Sequence, residues 1–398
     1  HATQDADFTA FGSTPAGVAN LGAAVDTTLA QLGLSTRPLP KLALTANLRY
    51  EDKQDNTPQA VYSVVTNATG AGSYKNILHS SNKVSGKLEA SYQFPHNYQG
   101  TLGVDYQEVH RDRPTGTVLI DGLSGLREDT KETTYRAEVR RGMSETLNAS
   151  LGFSHAKREG SSWLSLAAGF PAVADNVIYS ANGVFPFTLQ DRTRNKVRLA
   201  ADWAPSDAVS LQFMLENGQD SYSAPSLAGL RDTDMHAYGI DAAWKLSDKW
   251  KLTGYWNQGK QTQNVNHSSY LAELAGTTDS VSLGVVGSPA KDYEIGATLA
   301  VLKDTNAYQL SLSSGLPLVG GALPDVTYRI NSLNLYAKRT IDKNASLRVD
   351  LGRRRAELND WTWGYNGVPF TYSDGATVTQ QANQDVTYIG VSYVYWLK

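Results

Sequence analysis

The segment Lys83–Phe94, KVSGKLEASYQF, alternates apolar and polar side chains without a break. Leu88 and Tyr92 fall on one side of an extended chain, and Lys87 and Glu89 fall on the other. Because successive side chains of a strand point to opposite faces, this pattern predicts a strand with one apolar and one charged face. A helix would mix the two sets of side chains around its axis.

The same unit recurs along the chain in pairs. Gln99–His110 repeats the alternation after the short turn Pro95–Tyr98, so the two segments are predicted to form a hairpin. About fifteen such segments follow one another, joined alternately by turns of roughly three to six residues and loops of roughly 17 to 37 residues. Compact soluble domains mostly use loops of about 4 to 6 residues. Alternating short and long connections are typical of bacterial outer-membrane barrels, whose short turns are periplasmic and whose long loops are extracellular.

Composition excludes several other classes of protein. None of the uncharged apolar runs in the 398 residues reaches the roughly 18 residues that a spanning helix needs, so a helical membrane protein is excluded. The formal net charge of −3, with dispersed basic residues, gives no sign of a nucleic-acid surface. The chain has 0 cysteines and therefore no disulfide framework.

These observations predict an all-β fold: a transmembrane antiparallel up-and-down β-barrel with short periplasmic turns and long extracellular loops. We expect residues 1–398 to form a single barrel domain with about 15 to 16 visible strands. Aromatic side chains beside the short turns fit a membrane-interface girdle: Tyr92, Phe94, Trp203, Trp244 and Trp250. The alternative is that these aromatics belong to the core of a soluble β protein.

The number of strands raises a question of parity. The first readable strand, Val25–Thr36, should descend from outside, yet single-chain barrels normally have an even number of strands with both ends periplasmic. One rising strand is therefore missing, either within Ala2–Phe11, which alternates poorly, or before His1 in a longer precursor. We favour the second. His1–Ala10 has neither the basic start nor the apolar core of a signal peptide.

Two stretches resemble the MtrB/PioB family. They are Arg37–Pro58, RPLPKLALTANLRYEDKQDNTP, and the looser Asp279–Tyr308, DSVSLGVVGSPAKDYEIGATLAVLKDTNAY. Members of that family are outer-membrane barrels associated with decaheme cytochromes, and they are longer than this chain. Many also carry a cysteine pair near the N-terminus, which this sequence lacks. Either that region is missing or this member departs from the pattern.

The resemblance implies a sleeve in the outer membrane of a Gram-negative bacterium. Such a sleeve encloses a periplasmic multiheme cytochrome and supports electron transfer to or from extracellular partners, among them a second multiheme cytochrome. Heme c would belong to the partner, because a chain without cysteine has no CxxCH attachment motif. We expect no catalytic residue, bound cofactor or metal in this chain. The alternative is a diffusion porin or substrate channel.

By strand parity, a set of charged side chains should face the lumen. The candidates for partner contact are Arg49, Glu51, Lys87, Glu89, Asp105, Arg136, Glu138, Arg140, Lys196, Arg198, Asp202, Asp241, Lys251, Arg348 and Asp350. Both signs are interleaved, as in surfaces that fix the register of a bound protein. The alternative is a set of cross-strand ion pairs that line an ordinary water-filled pore.

Other candidate sites are weaker. Asp52, Asp55 and Asn56 form an acidic loop that could hold Ca²⁺, although an acidic turn without metal is the more economical interpretation. His155 beside Ser154 suggests a surface hydrolase only if an orienting group is found, and the sequence identifies none. The run Arg353–Arg355 suggests the outer end of a strand that meets anionic headgroups or a loop partner.

Overall fold

The computed structural model contains one large antiparallel sheet of 16 strands. It describes residues 1–5, 7, 19–64, 72–76, 78–112, 126–164, 187–223, 229–266, 270–312, 323–360, 364–365, 368–371, 377–378 and 383–396. Within these residues, no helix is both long and apolar enough to cross a bilayer.

The sheet strands follow chain order. The first eight are β1 (Ala2–Gln4), β2 (Ala23–Leu39), β3 (Leu42–Asp55), β4 (Ser81–Gln93), β5 (Tyr98–Arg111), β6 (Asp129–Gly142), β7 (Leu147–Gly160) and β8 (Asp191–Ser206). The second eight are β9 (Val209–Ser223), β10 (Gly229–Ser247), β11 (Trp250–Asn266), β12 (Tyr270–Gly287), β13 (Tyr293–Leu312), β14 (Val326–Asp342), β15 (Ala345–Asn359) and β16 (Asn383–Tyr395). Each strand is hydrogen-bonded to the next one along the chain, as in an up-and-down barrel.

Short and long connections mostly alternate, as the sequence predicts, but two of the predicted long loops reduce to residues 224–228 and 267–269. One end of the sheet carries tight connections at residues 40–41, 94–97, 143–146, 207–208, 248–249, 288–292 and 343–344. In the turn 94–97, His96 and Asn97 both have φ of 61°, the left-handed conformation that tight hairpin turns use. Long connections at the other end include residues 56–80, 112–128 and 360–382. This end is extracellular in the barrel orientation predicted above.

Short strands lie within several long connections. Val61–Val64 pairs with Gly72–Lys75, and Leu126–Arg127 pairs with Trp163–Leu164. Gly364–Tyr365 and Thr377–Val378 both pair with Val368–Thr371. These small sheets are separate from the 16-stranded sheet.

The strands reach farther toward the long-loop end than the sequence pattern predicts. Residues 258–279 read as one long loop, whereas β11 runs to Asn266 and β12 begins at Tyr270. The connection is therefore only residues 267–269. The pattern fails there because Gln258 and Lys260 are polar on one face while Gln261 is polar on the other. Where both faces meet water, no alternation marks the strand.

The parity question also receives a structural answer. Ala2–Gln4 forms the short strand β1, whose three residues pair antiparallel with Val25, Ala24 and Ala23 of β2. The even count of strands is therefore reached within this chain, in the segment that we considered the poorer candidate. Whether further strands precede His1 stays a prediction.

Among the residues that the structure describes, no second layer of similar size covers the sheet. The largest fully buried side chains in the described residues are polar, namely Gln190, Thr233 and Asp220. Large apolar side chains stay exposed, for example Leu102 at 66% and Leu283 at 65%. A soluble sheet would bury such side chains, so this exposure indicates that lipid covers them.

Candidate functional site

The register divides the sheet into two chemically different faces. Leu335 pairs with Ala297 on one side and with Leu351 on the other, and Leu351 pairs with Ile389, so a row of aliphatic side chains crosses four strands. The adjacent row holds Thr298, Asn334 and Gly352, and it points the opposite way. We name the first surface the lipid face and the second the lumen face.

All of the predicted lumen residues lie on the lumen face. Lys87 pairs with Asp105. Glu89 pairs with Gly103, which pairs with Arg136, so Glu89 and Arg136 lie in one row two strands apart. Asp202 and Asp241 flank Gln212 on the same face. The remaining candidates follow the same parity through their own pairings: Arg49, Glu51, Glu138, Arg140, Lys196, Arg198, Lys251, Arg348 and Asp350. Their contact with a partner stays a prediction.

The structure brings some of these charges together in ion pairs. Arg136 donates from Nε to Asp105 at 2.6 Å and from Nη2 to Glu89 at 3.3 Å. Lys87 Nζ lies 3.0 Å from Glu89. On their own strands, Arg49 pairs with Glu51 at 2.6 Å and Arg348 pairs with Asp350 at 2.7 Å. Lys196 pairs at 2.5 Å with Glu216, a residue that the sequence analysis did not single out.

Other candidates remain apart. Within the described residues, several of the predicted lumen charges have no side-chain hydrogen bond or ion pair. They are Glu138, Arg140, Arg198, Asp202, Asp241 and Lys251. The lumen wall therefore combines a fixed lattice of pairs with charges that are free to meet a ligand.

A second charge network, which the sequence analysis missed, lies nearer the long-loop end. Glu132, Arg158, Arg192 and Tyr222 occupy one row of the lumen face across β6 to β9. Arg192 Nη2 donates to both oxygens of Glu132, at 2.9 and 3.0 Å. The sequence signal was present: Arg192 lies two residues from Arg194, in phase with Lys196 and Arg198 on the same strand.

This network also fixes the segment that leads into β8. Arg158 donates from Nε to the Gln190 carbonyl at 2.8 Å and from Nη2 to the Phe187 carbonyl at 2.9 Å. Arg127, whose side chain is only 6% exposed, donates to the carbonyl oxygens of Ser161 and Leu189 and forms an ion pair with Asp191. Residues 187–190 are thereby held against the outer end of the lumen face.

The predicted interfacial aromatics lie near the tight turns, on or beside the lipid face. Tyr92 and Phe94 make an edge contact with ring centroids 4.8 Å apart. Trp203 and Trp244 are exposed, at 41% and 52%. Trp250 covers Gly287 on the neighbouring strand. This placement matches a membrane-interface girdle.

Arginine–tyrosine stacks occur at the same end of the sheet. Arg141 lies 4.7 Å from the ring centroid of Tyr98, and Arg339 lies 5.4 Å from that of Tyr293. In the turn 248–249, a hydrogen bond from Lys245 at 2.7 Å, together with the positive charge of that lysine, lowers the pKa of Asp248. The turns thus present fixed charges at the membrane boundary.

The weaker candidates do not assemble into chemical sites. Ser154 faces the lumen and His155 faces lipid; His155 Nδ1 lies 2.8 Å from the side-chain oxygen of Asn195. Asp55 accepts hydrogen bonds from the backbone amides of Thr57 and His79, at 3.1 and 3.0 Å. No group of three or more potential metal-ligating side chains occurs in the described part of the chain.

The arginine run has local partners. Arg353 pairs with Asp385 at 2.7 Å, and Arg355 pairs with Glu357 at 2.9 Å. Both arginines lie on the outward-facing parity of β15, beyond the aliphatic row that contains Leu351. That position fits the edge of the membrane, where charged side chains meet headgroups.

Comparison with known proteins places the chain among outer-membrane proteins. Residues 1–397 match the family model described as "Putative outer membrane beta-barrel porin, MtrB/PioB". No curated protein matches the chain.

Several solved structures are similar. OmpT of Vibrio cholerae is 10% identical at a TM-score of 0.33, over 98% of this chain and 100% of that chain. An anion-selective porin from Comamonas acidovorans is 11% identical at a TM-score of 0.32, over 93% of this chain and 100% of that chain. A mutant ferric enterobactin receptor, PfeA, from Pseudomonas aeruginosa is 9% identical at a TM-score of 0.42, over 94% of this chain and 70% of that chain. Similarities this low carry no further argument.

The family match and the two-faced sheet agree. A transmembrane barrel has an aliphatic face and a charged face, and its strands pair antiparallel in chain order with mostly alternating short and long connections. The protein is located in the outer membrane, and it belongs to the MtrB/PioB family of outer-membrane β-barrel porins.

Proposed function

We propose that the barrel is a sleeve that encloses a periplasmic multiheme c-type cytochrome and supports electron transfer across the outer membrane. The barrel itself has no catalytic activity. The hemes belong to the enclosed protein, since this chain has no cysteine with which to attach heme c. Membership of the MtrB/PioB family supports the proposal, because the resemblance to that family implies an association with decaheme cytochromes.

The observation that carries the proposal is the lattice of charges on the lumen face. Arg136 with Asp105, Lys196 with Glu216, and Arg194 with Asp220 fix side chains of both signs at defined positions across β5 to β9. A surface of this kind can match the charges of an inserted protein and set its register. An enclosed protein with complementary charges would bind in one orientation.

The barrel contributes insulation and position. Its lipid face borders a medium of low dielectric constant, and its lumen face supplies hydrogen-bonding partners along the length of the enclosed protein. Electrons pass between the hemes of that protein and an extracellular partner, such as a second multiheme cytochrome. The connections at the long-loop end are the part of the barrel that could contact such a partner.

A diffusion porin or substrate channel is the second candidate function. The lumen face includes Arg140, Arg198, Asp202 and Asp241, which form no ion pair within the described part of the chain, like pore residues that attract and release hydrated solutes. The two functions differ in one measurable property, the ion conductance of the barrel as purified from its own host: a sleeve that encloses a cytochrome conducts poorly, whereas a porin conducts freely.

Two measurements test the proposal. The tagged barrel is purified in mild detergent from the outer membranes of its own host, and heme absorbance is measured per barrel. The complex is then placed in liposomes that enclose a reduced redox dye, with a ferric salt outside. We expect heme to copurify in a fixed ratio and the dye to be oxidised only when barrel and cytochrome are both present. A colourless barrel with a large, stable pore conductance would instead establish the porin.

A further inference from the structure

A recess on the lumen face lies over β6, β7 and β8. Its cavity volume is about 520 Å³, and its lining includes Glu138, Arg140, Gly152, Lys196 and Arg198. It lies between the paired charges of β4 and β5 and those of β8 and β9. The recess opens into the lumen, where an enclosed protein would pass.

Two arginines in the recess form no ion pair with other described residues of the barrel wall. Lys196 forms an ion pair with Glu216 at 2.5 Å. On the far side of the recess, Glu89 forms ion pairs with Lys87 and Arg136. Neither Arg140 nor Arg198 has a side-chain hydrogen bond or ion pair within the described residues, and both are exposed. A free guanidinium group has five N–H donors, which fit carboxylate oxygens in pairs.

Small residues keep the centre of the recess open. Gly152 lies between Glu138 and Arg198 in the register, and Ser150 lies between Arg140 and Ala200. A β-carbon added to Gly152 would meet no atom closer than 3.9 Å, so no neighbouring side chain fills the space directly above this glycine. Arg140 and Arg198 therefore flank a gap instead of covering it.

We propose that this recess binds carboxylate groups on the surface of the protein that the barrel encloses; the inference rests on the proposed function. The charges of the lining favour an anion. The cations Arg136, Arg140, Lys196 and Arg198 outnumber the anions Glu89, Glu138 and Glu216, so 4 − 3 leaves one net positive charge. The excess charge lies on the two unpaired arginines.

The spacing favours a protein surface over a single small anion. Arg140 and Arg198 lie two strands apart. Through Ser150, Arg140 is in register with Ala200, which is two residues along β8 from Arg198. Strand spacings of about 4.8 Å and a rise of about 3.3 Å per residue separate their α-carbons by roughly 12 Å. Two carboxylates on a protein surface can satisfy both guanidinium groups, whereas one acetate-sized anion meets one of them.

The test uses the full barrel in detergent with a fluorescent hexaglutamate peptide as the probe. The variant R140Q/R198Q should weaken hexaglutamate binding by about tenfold for each arginine removed. E138Q should strengthen binding, because it removes the unpaired anion from the same recess. G152L should weaken binding while every charge is kept, because its side chain fills the gap. Added salt should weaken wild-type binding more than that of R140Q/R198Q.

The matched control is R355Q, which removes an arginine on the outward-facing parity of β15 that is already paired with Glu357 at 2.9 Å. R355Q should leave the affinity for hexaglutamate within about twofold of wild type, because Arg355 does not face the lumen and its pair is exposed. Hexalysine, the charge-reversed peptide, should bind no more tightly than the uncharged hexaglutamine. Equal affinity of wild type and R140Q/R198Q for hexaglutamate would overturn the inference. So would a free glutamate or phosphate affinity that matches that of the peptide.

The same variants separate this inference from the proposed function. If heme copurifies with wild type and its retention in high salt falls in R140Q/R198Q but not in R355Q, both proposals are supported. If heme retention is the same in all three proteins, the sleeve stands and the recess assignment fails. If no heme copurifies while hexaglutamate still binds through the two arginines, the sleeve fails and the carboxylate chemistry of the recess stands.

Discussion

Arg194 and Asp220 form a bidentate ion pair across β8 and β9, with Nε and Nη2 each 2.6 Å from a carboxylate oxygen. Asp220 is 1% exposed, and it also accepts a hydrogen bond from Tyr222 at 3.1 Å. Arg192 approaches the same carboxylate at 3.7 Å. One buried carboxylate thus balances two arginines of the lumen wall.

Replacing this carboxylate should destabilise the barrel. D220N leaves Arg194 and Arg192 without their shared anion, and we expect a loss of about 2 kcal/mol in the free energy of unfolding. The measurement is urea unfolding of the barrel in lipid or detergent. D385N is the matched control, because the pair of Arg353 with Asp385 is 65% and 45% exposed at its two side chains. The control should cost less than about 0.5 kcal/mol, and an equal loss in both variants would contradict the assignment.

Tyr336 covers Gly296 on the neighbouring strand, and a β-carbon at Gly296 would collide with the tyrosine ring. The ring cannot move freely, since its hydroxyl donates to Glu294 at 2.8 Å and Arg348 stacks on it at 4.1 Å. We therefore expect G296A to lower the free energy of unfolding by about 1 to 2 kcal/mol.

The control for this variant is Gly259, where an added β-carbon meets nothing within 4 Å. G259A should be neutral or should stabilise the protein by up to about 1 kcal/mol, because it only restricts the unfolded chain. Both variants are compared by urea unfolding under the same conditions. A loss in G259A as large as that in G296A would show that steric contact with Tyr336 is not the cause.

Neighbouring residues on β13 test which face meets lipid. Leu299 is 52% exposed and lies on the lipid face, where it pairs with Leu333, whereas Thr298 lies on the lumen face. L299R should cost about 2 to 4 kcal/mol of folding free energy in lipid bilayers, and T298R should cost far less. Folding yield into liposomes and the urea midpoint report the difference. Reversed sensitivities would invert the face assignment.

Arg127 should control the order of the segment before β8. Its guanidinium donates to Ser161 and Leu189 carbonyls at 2.6 and 3.0 Å, and one lysine ammonium cannot reproduce this geometry. In R127K, amide hydrogen exchange at residues 187–191 should be faster by about tenfold. R355K, at the exposed pair with Glu357, is the control. Unchanged exchange in R127K would show that the segment is held by its other contacts.

Much of the fold could be predicted from the sequence where one face meets lipid and the other meets water. On β4, Leu88 and Glu89 face opposite ways, so the alternation identified both the strand and its faces. Parity then placed every predicted lumen charge on one face, since side-chain direction repeats every two residues. The family assignment from Arg37–Pro58 was confirmed by the match over residues 1–397.

The sequence could not predict features that depend on several distant strands. The outer part of β11 is polar on both faces, and the outer part of β12 has apolar residues on both, such as Leu271 and Leu274, so neither segment alternates beyond Trp256. Ala2–Gln4 is too short to show a period. The sequence also could not predict which charged residues form ion pairs. Arg136 binds Asp105 and Glu89, which are 31 and 47 residues away, while Arg140 binds neither.

Every strand of the sheet bonds to its nearest neighbours in the sequence, from β1 to β16. Assembly can therefore proceed one hairpin at a time, with the last edge acting as the template for the next hairpin. No later strand has to thread between two earlier ones. Duplication or removal of a whole hairpin would leave the other strand pairings intact. Evolution can therefore change the diameter of such a barrel by adding or removing hairpins.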